Sequence, residues 1–164
     1  MRISPLALAA IAAALCACTQ ASAGDNTSNS PNAAASAAPA RDEIHWGPAP
    51  AVFPKGAEFA VLQGDPGKAE PFTVRLRLPN GYKLPPHTHP TTENVTVLEG
   101  TLLAGMGPQA VESALRAYPR DGFISIPANH AHYVEARGLT VVQVHAIGPF
   151  ALTYVNPDGS AVQQ

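Results

Sequence analysis

The sequence is short of charge. Only 13% of its residues are Asp, Glu, Lys or Arg, the formal net charge is −2, and no basic run occurs. A surface that grips nucleic acid through its phosphates needs clustered Lys and Arg, so that class of partner is excluded. Cysteine is scarcer still. Both copies, Cys16 and Cys18, stand near the start of the chain, so no pair remains to cross-link a domain downstream and the hydrophobic core must hold the fold unaided. Nor does any apolar run reach the ~20 residues of a transmembrane helix. The longest, Ile3 to Leu15, follows Met1–Arg2 and precedes small residues, which is the layout of a secretory signal.

Two exits from that signal are readable. Leu15–Cys18, LCAC, resembles the lipobox of bacterial lipoproteins and implies a signal of residues 1–18 ending in a lipidated Cys18. Ala21–Ala23, ASA, fits ordinary cleavage and a signal of residues 1–23. Either predicts export to the periplasm, and the first adds a membrane anchor, the sole membrane contact expected. Residues 19–43 are mostly Ala, Ser, Asn and Pro without periodicity. Such a segment cannot bury enough apolar surface to offset its chain entropy, so it reads as a flexible linker. Residues 44–158 suffice for one domain, followed by a tail over 159–164.

What the sequence has in quantity is Pro and Gly, 17 and 13 copies, set between short apolar runs. FTVRLRL places Phe72, Val74, Leu76 and Leu78 on one face and Thr73, Arg75 and Arg77 on the other, the period of a half-buried strand. The two arginines are expected on its solvated side. EFAVLQG, NVTVLEG, TLLAGM, FISIP, HYVEA, TVVQVHA and FALTYV read as further strands, most of them parted by turn residues such as Gly100, Gly122, Gly138 and Gly148–Pro149. PQAVESALRAY breaks the pattern: Val111, Ala114, Leu115 and Tyr118 recur at helical spacing and predict a short helix. With no internal repeat, eight or so short strands imply an all-β antiparallel sandwich or barrel.

Into this β-pattern the segment GYKLPPHTHPTTENVTVLEG sets two of the six histidines. On an extended strand His87 and His89 project to one face, within reach of one ion. Pro85–Pro86 extend the backbone before them, and Pro90 with the threonines suits a bend that returns Glu93 toward the same point. Imidazoles and one carboxylate are the donor mix of divalent first-row metals. A third histidine is expected from DGFISIPANHAHYVEA, which offers His130 and His132.

The spacing Gly81, five residues, His87, one, His89, three, Glu93, six, Gly100 resembles the first motif of the cupin superfamily at every defined position. Gly122, Pro127 and His132 resemble the second motif more loosely. Four residues rather than five separate Gly122 from Pro127, Asn129 stands in place of glycine, and Ala136 in place of asparagine. Asn tolerates the left-handed backbone that a glycine supplies there. The resemblance covers Gly81 to Ala136. It implies a cupin-type double-stranded β-helix, a jelly-roll barrel, and the metal ligands His87, His89, Glu93 and His132, with His130 left in the turn. Three nitrogens and one oxygen on an octahedral ion leave two neighbouring positions open for water, O₂ or a bidentate substrate. Those donors accept Mn, Fe, Ni or Zn alike.

Gln143 and His145 share a strand face; inside the barrel they would orient a ligand, and opposite Val142 and Val144 they would be a polar outer face. Lys83 and Glu135 are further candidate proton-transfer groups. Tyr133, Tyr154 and Trp46 are expected to pack, and His45 to be solvated. The functional expectation is an exported, divalent-metal-binding protein that acts on a small oxygenated molecule by oxygenation, decarboxylation or isomerisation. The alternatives are a binding or sensing module without turnover, and a scaffold whose metal holds the barrel mouth. A homodimer is the default assembly, because exposed barrel edges need covering.

Overall fold

The computed structural model describes residues 43–163. The signal segment over 1–18, its 1–23 alternative, Cys18 and all but the last residue of the 19–43 linker lie outside the described residues. Within them the chain forms nine strands: β1 (Gly47–Pro48), β2 (Glu58–Gln63), β3 (Pro71–Leu78), β4 (Lys83–Thr88), β5 (Glu93–Met106), β6 (Arg116–Pro119), β7 (Phe123–Ile126), β8 (His132–Ile147) and β9 (Thr153–Tyr154). Every pairing between them is antiparallel. This is the all-β jelly-roll architecture that the strand pattern and the two histidine motifs predict.

FTVRLRL behaves as its alternation dictates. Phe72, Val74, Leu76 and Leu78 are buried in the core. Arg75 and Arg77 lie on the opposite face, where the Arg75 Nε donates to Gln143 Oε1 at 3.0 Å and Arg77 reaches Glu58 at 2.7 Å. The Arg77 guanidinium also covers the Trp46 ring at 4.1 Å.

Two long strands curl the sheet. NVTVLEG and TLLAGM, expected as separate strands, form the single β5, and HYVEA and TVVQVHA form the single β8. Gly100 and Gly138 do not end these strands; they sit within them at φ 72° and 77°. Near Gly100 the β5–β8 register shifts twice between Val97 and Thr101, which is how a bulge bends a strand without breaking its ladder. As a result the second half of β8 pairs with β3 and the start of β5, while its first half pairs with β4 and the end of β5. One strand therefore serves both walls.

The helix expected in PQAVESALRAY is a single 3-10 turn, Glu112–Ala114, followed by strand β6. Tertiary contacts override the local spacing. The Val111 N–H donates to the Tyr133 hydroxyl at 3.0 Å, that hydroxyl donates to the Val111 carbonyl at 2.9 Å, and β6 pairs with Thr101–Ala104. The Val111 carbonyl still accepts the Ala114 N–H at 3.0 Å, which closes the one turn, but the ladder takes up the backbone from Arg116 onward and the helix goes no further. FALTYV also differs from its expected strand: only Thr153 and Tyr154 form a strand, and Phe150 lies in irregular chain. Beyond Asp158 the segment expected as a tail turns back, with Val155 bridging Ala161 and the Val162 N–H donating to the Tyr154 carbonyl at 2.8 Å.

Candidate metal centre

β4 delivers the first pair of histidines through a local irregularity. Between Leu84 and His87 its register against β8 gains a residue, at Pro85–Pro86. Proline has no N–H to give to a ladder, so a bulge is the least costly place for two of them. His87 then stands directly opposite His132 on β8, with Tyr154 of β9 on its other side. His89 follows just past the end of β4, and Glu93 opens β5 against Ile126. The two motifs are tied by backbone: the Asn129 N–H donates to the His89 carbonyl at 2.7 Å. Asn129 is left-handed, φ 59°, as its place in the second motif predicts.

All four side chains converge and are buried. His87 and His132 are each 1% exposed, His89 4% and Glu93 8%. One ring nitrogen of each histidine lies within 4.8 Å of the others. The Glu93 carboxylate approaches Nε2 of His132 at 3.3 Å and Nε2 of His89 at 3.7 Å. His130, two residues before His132, is exposed beside the turn and contributes its carbonyl rather than its ring.

The outer nitrogens settle what the inner ones offer. Nδ1 of His87 is 2.7 Å from the Pro85 carbonyl, Nδ1 of His89 is 2.7 Å from the Ala151 carbonyl, and Nδ1 of His132 is 3.1 Å from the His130 carbonyl. A carbonyl only accepts, so each Nδ1 carries a hydrogen and, in a neutral ring, each Nε2 presents a bare lone pair inward. Burial holds the His87 pKa well below its ordinary value, with the neighbouring His132 and His89 adding to the effect. Burial also lowers that of His89, against the opposing pull of Glu93. Three inward-facing Nε2 atoms with a carboxylate oxygen beside two of them form a compact cluster of nitrogen and oxygen donors. The donor set therefore fits a divalent transition metal, and it is the histidine–carbonyl pattern that orients metal-binding imidazoles.

Phe150 completes the mount. Its ring stacks on His89 with centroids 4.1 Å apart and planes 16° apart. Nothing in the sequence marks it, because Phe150 reads as the first residue of the FALTYV strand. The histidines and Glu93 line one side of a cavity of about 150 Å³ whose remaining walls are apolar, including Val52, Phe53, Phe59, Val74 and Leu76. Tyr82 also lines it, but its hydroxyl donates to the Pro54 carbonyl at 2.9 Å, and burial pushes its pKa up to about 12. Tyr154, beside His87, likewise donates to the Val52 carbonyl, at 2.7 Å. Both tyrosines hold the irregular segment that carries Val52 and Phe53 over the cavity.

The remaining candidates lie elsewhere. Gln143 and His145 occupy the outer face of β8, since Val142 and Val144 take the inward positions. There His145 Nδ1 meets Thr73 Oγ1 at 2.8 Å, and its Nε2 meets the Gln143 amide at 2.9 Å. They cannot orient a group inside the barrel. Lys83 is exposed and pairs with Glu135 at 3.2 Å, also away from the cavity lining. His45 is exposed.

No family model and no curated protein matches the sequence. Solved structures do resemble the fold. An acetylacetone dioxygenase from Acinetobacter johnsonii superposes with a TM-score of 0.61 at 15% identity, covering 82% of this chain and 87% of that one. A candidate acetylacetone dioxygenase from Methylibium petroleiphilum PM1 gives 0.59 at 23% identity, over 74% and 82%. A cupin 2 conserved barrel domain protein from Rhodopseudomonas palustris gives 0.57 at 15% identity, over 75% and 87%. At these identities the likeness is one of fold.

Proposed function

Because the chain has the cupin fold and gathers four buried donors in it, we propose that it is a metal-dependent protein of the cell envelope that acts on a small oxygenated molecule. His87, His89, His132 and Glu93 hold the divalent ion. The observation that carries this reading is the set of three Nδ1–H groups, each committed to a backbone carbonyl, which turns three Nε2 lone pairs inward on one carboxylate. A structural zinc site is closed by its protein ligands, whereas this donor set faces a cavity large enough for a further molecule. Such an ion supplies a Lewis acid with open positions when bound. The chain's own part is to fix the donors, exclude water and shape the space beside them.

Oxygenation is the reaction we favour. Two of the structures that share the fold are named as acetylacetone dioxygenases, one of them as a candidate, and the cavity suits a small apolar dicarbonyl. A second reading rests on a specific feature: apart from Glu93, the histidines and the committed Tyr82, no described lining residue can move a proton. A binding module without turnover needs none. Oxygen uptake and product formation with acetylacetone, small carboxylates and phenols, screened over Fe, Mn, Ni and Zn, separate the two.

The metal assignment is tested by elemental analysis of purified variants. His87→Ala and Glu93→Ala lose stoichiometric metal while His45→Ala keeps it, and equal content in all three defeats the assignment. Envelope location rests on the signal-like start and the LCAC segment. Cys18→Ser then releases the protein from membrane fractions, and unchanged membrane association removes the anchor.

A further inference from the structure

The make-up of the cavity wall extends the metal-site reading, on which the following step depends. Among the described lining residues, those other than the three histidines and Glu93 are Val, Leu, Ile, Ala, Pro and Phe, with Tyr82. No Lys, Arg, Asp, Asn, Gln, Ser or Thr is among them, and the Tyr82 proton is already given to Pro54. Metal ligands bind in their deprotonated forms, so three neutral imidazoles and one carboxylate around a divalent ion leave a single positive charge. The wall offers nothing to balance a second negative charge. Beyond the Tyr82 oxygen, which can still accept, its side chains offer no partner for a hydroxyl, ammonium or extra carboxylate, each of which loses its hydration on entry. A cavity of about 150 Å³ is of the size that accepts a benzene-sized molecule.

We infer that the cavity takes a hydrocarbon-bodied ligand with two chelating oxygens that carries one negative charge when bound, and that the apolar wall rejects dianions, sugars and amino acids. The enolate of a small 1,3-dicarbonyl belongs to this class, as does a small monocarboxylate. Oxalate, malonate and phosphate esters do not. Here selectivity comes from what the wall lacks: a dianion would leave an unbalanced charge in a space of low dielectric.

Acetylacetone and malonate make a matched pair of probes. They have the same number of non-hydrogen atoms and close the same chelate ring, but differ in charge and in the polarity of their ends. Full-length protein is loaded with cobalt(II) without oxygen, its cobalt content measured, and each probe titrated while the visible absorption of the ion is followed. The ratio of the two affinities is compared with the ratio for free cobalt(II) in the same buffer. The protein should shift that ratio toward acetylacetone by about 10- to 100-fold, the size of effect expected when buried polar groups go unpartnered. Phe53→Arg, in the half-buried segment over the cavity, should return at least about tenfold of malonate binding by supplying the missing charge. Val52→Lys, from the same segment, serves if the first variant does not fold. If cobalt binds and the ratio equals that of free ion, the wall does not select on charge and the inference fails alone. If no cobalt binds to the wild-type protein, the metal-site reading fails and takes the inference with it.

Discussion

Two glycines of equal conformation and unequal surroundings give a sharp test of how the barrel is bent. Gly100 in β5 and Gly138 in β8 have φ values of 72° and 77°, so alanine at either must adopt left-handed backbone. That costs about 1–2 kcal/mol, partly offset by about 0.4–1 kcal/mol because alanine also restricts the unfolded chain. At Gly138 an added Cβ meets nothing within 4 Å, so Gly138→Ala should cost about 1 kcal/mol in all. At Gly100 the same atom collides with the Leu139 carbonyl oxygen and stands 2.7 Å from Thr140 Oγ1. Neither neighbour can yield easily. One is backbone, and Thr140 is fully buried, its hydroxyl reaching the Thr101 and Gly138 carbonyls at 3.2 and 3.3 Å. Overpacking of this kind adds about 1–3 kcal/mol, which brings Gly100→Ala to about 3 kcal/mol. Urea unfolding reads the difference directly. With a slope of about 1–3 kcal/mol/M, the two midpoints should stand about 1 M apart, with Gly100→Ala the lower. Equal midpoints, or a larger loss at Gly138, would refute the account of the bend as a close approach of β5 to β8.

Three further outcomes follow from the site. Phe150→Ala removes the ring stacked on His89 and should weaken metal affinity about tenfold, by analogy with other groups that orient metal ligands; an unchanged affinity in a competition titration with a chromophoric chelator would show that the stack is incidental. Gln143→Ala and His145→Ala should leave metal content and affinity untouched, because both side chains lie on the outer face of β8; loss of metal from either would place that face in the site after all. In metal-free protein, His87 and His89 have pKa values below their unfolded value. The unfolded chain therefore binds more protons than the folded one below about pH 6.5. Stability should be flat above that pH and decline as it falls, by up to about 1.4 kcal/mol per pH unit for each histidine. Denaturant titrations at several pH values check this, and a decline no shallower in His87→Ala would assign the effect to other groups.

Much of the fold and most of the candidate site are legible in the sequence, for one reason: both obey short periods. Alternation in FTVRLRL and the His87–His89 pair each depend on side chains two apart sharing a face, and that rule survives whatever the strand pairs with. What misled were residues whose meaning is set by distant partners. Gly100 and Gly138 look like strand ends because glycine usually interrupts a strand, yet each sits inside a ladder that continues past it on both sides. The helical spacing from Val111 to Tyr118 is real in sequence, but the Tyr133 hydroxyl and the β6 ladder claim its backbone. The facing of Gln143 and His145 is open in the sequence because alternation alone does not say which face of β8 is the inner one; Val142 and Val144 take it.

The orientation of the histidines adds a step that periodicity cannot supply. A regular strand commits its carbonyls to its neighbours, so an imidazole on a strand finds a free carbonyl only where the ladder is disturbed. Each of the three does so. Pro85 lies in the bulge forced by two adjacent prolines, His130 follows the left-handed Asn129, and Ala151 belongs to the irregular chain after β8. The departures from regular β-structure are thus what fix the tautomers, and through them the inward lone pairs. Pro85, Asn129 and the GPF segment belong to the site as much as the donors do, although none of the three sends a polar side-chain atom into it. Replacing Pro85 with an ordinary residue would restore an N–H to β4, invite a regular ladder and withdraw the carbonyl from His87. Metal affinity would then fall with every ligand still in the sequence.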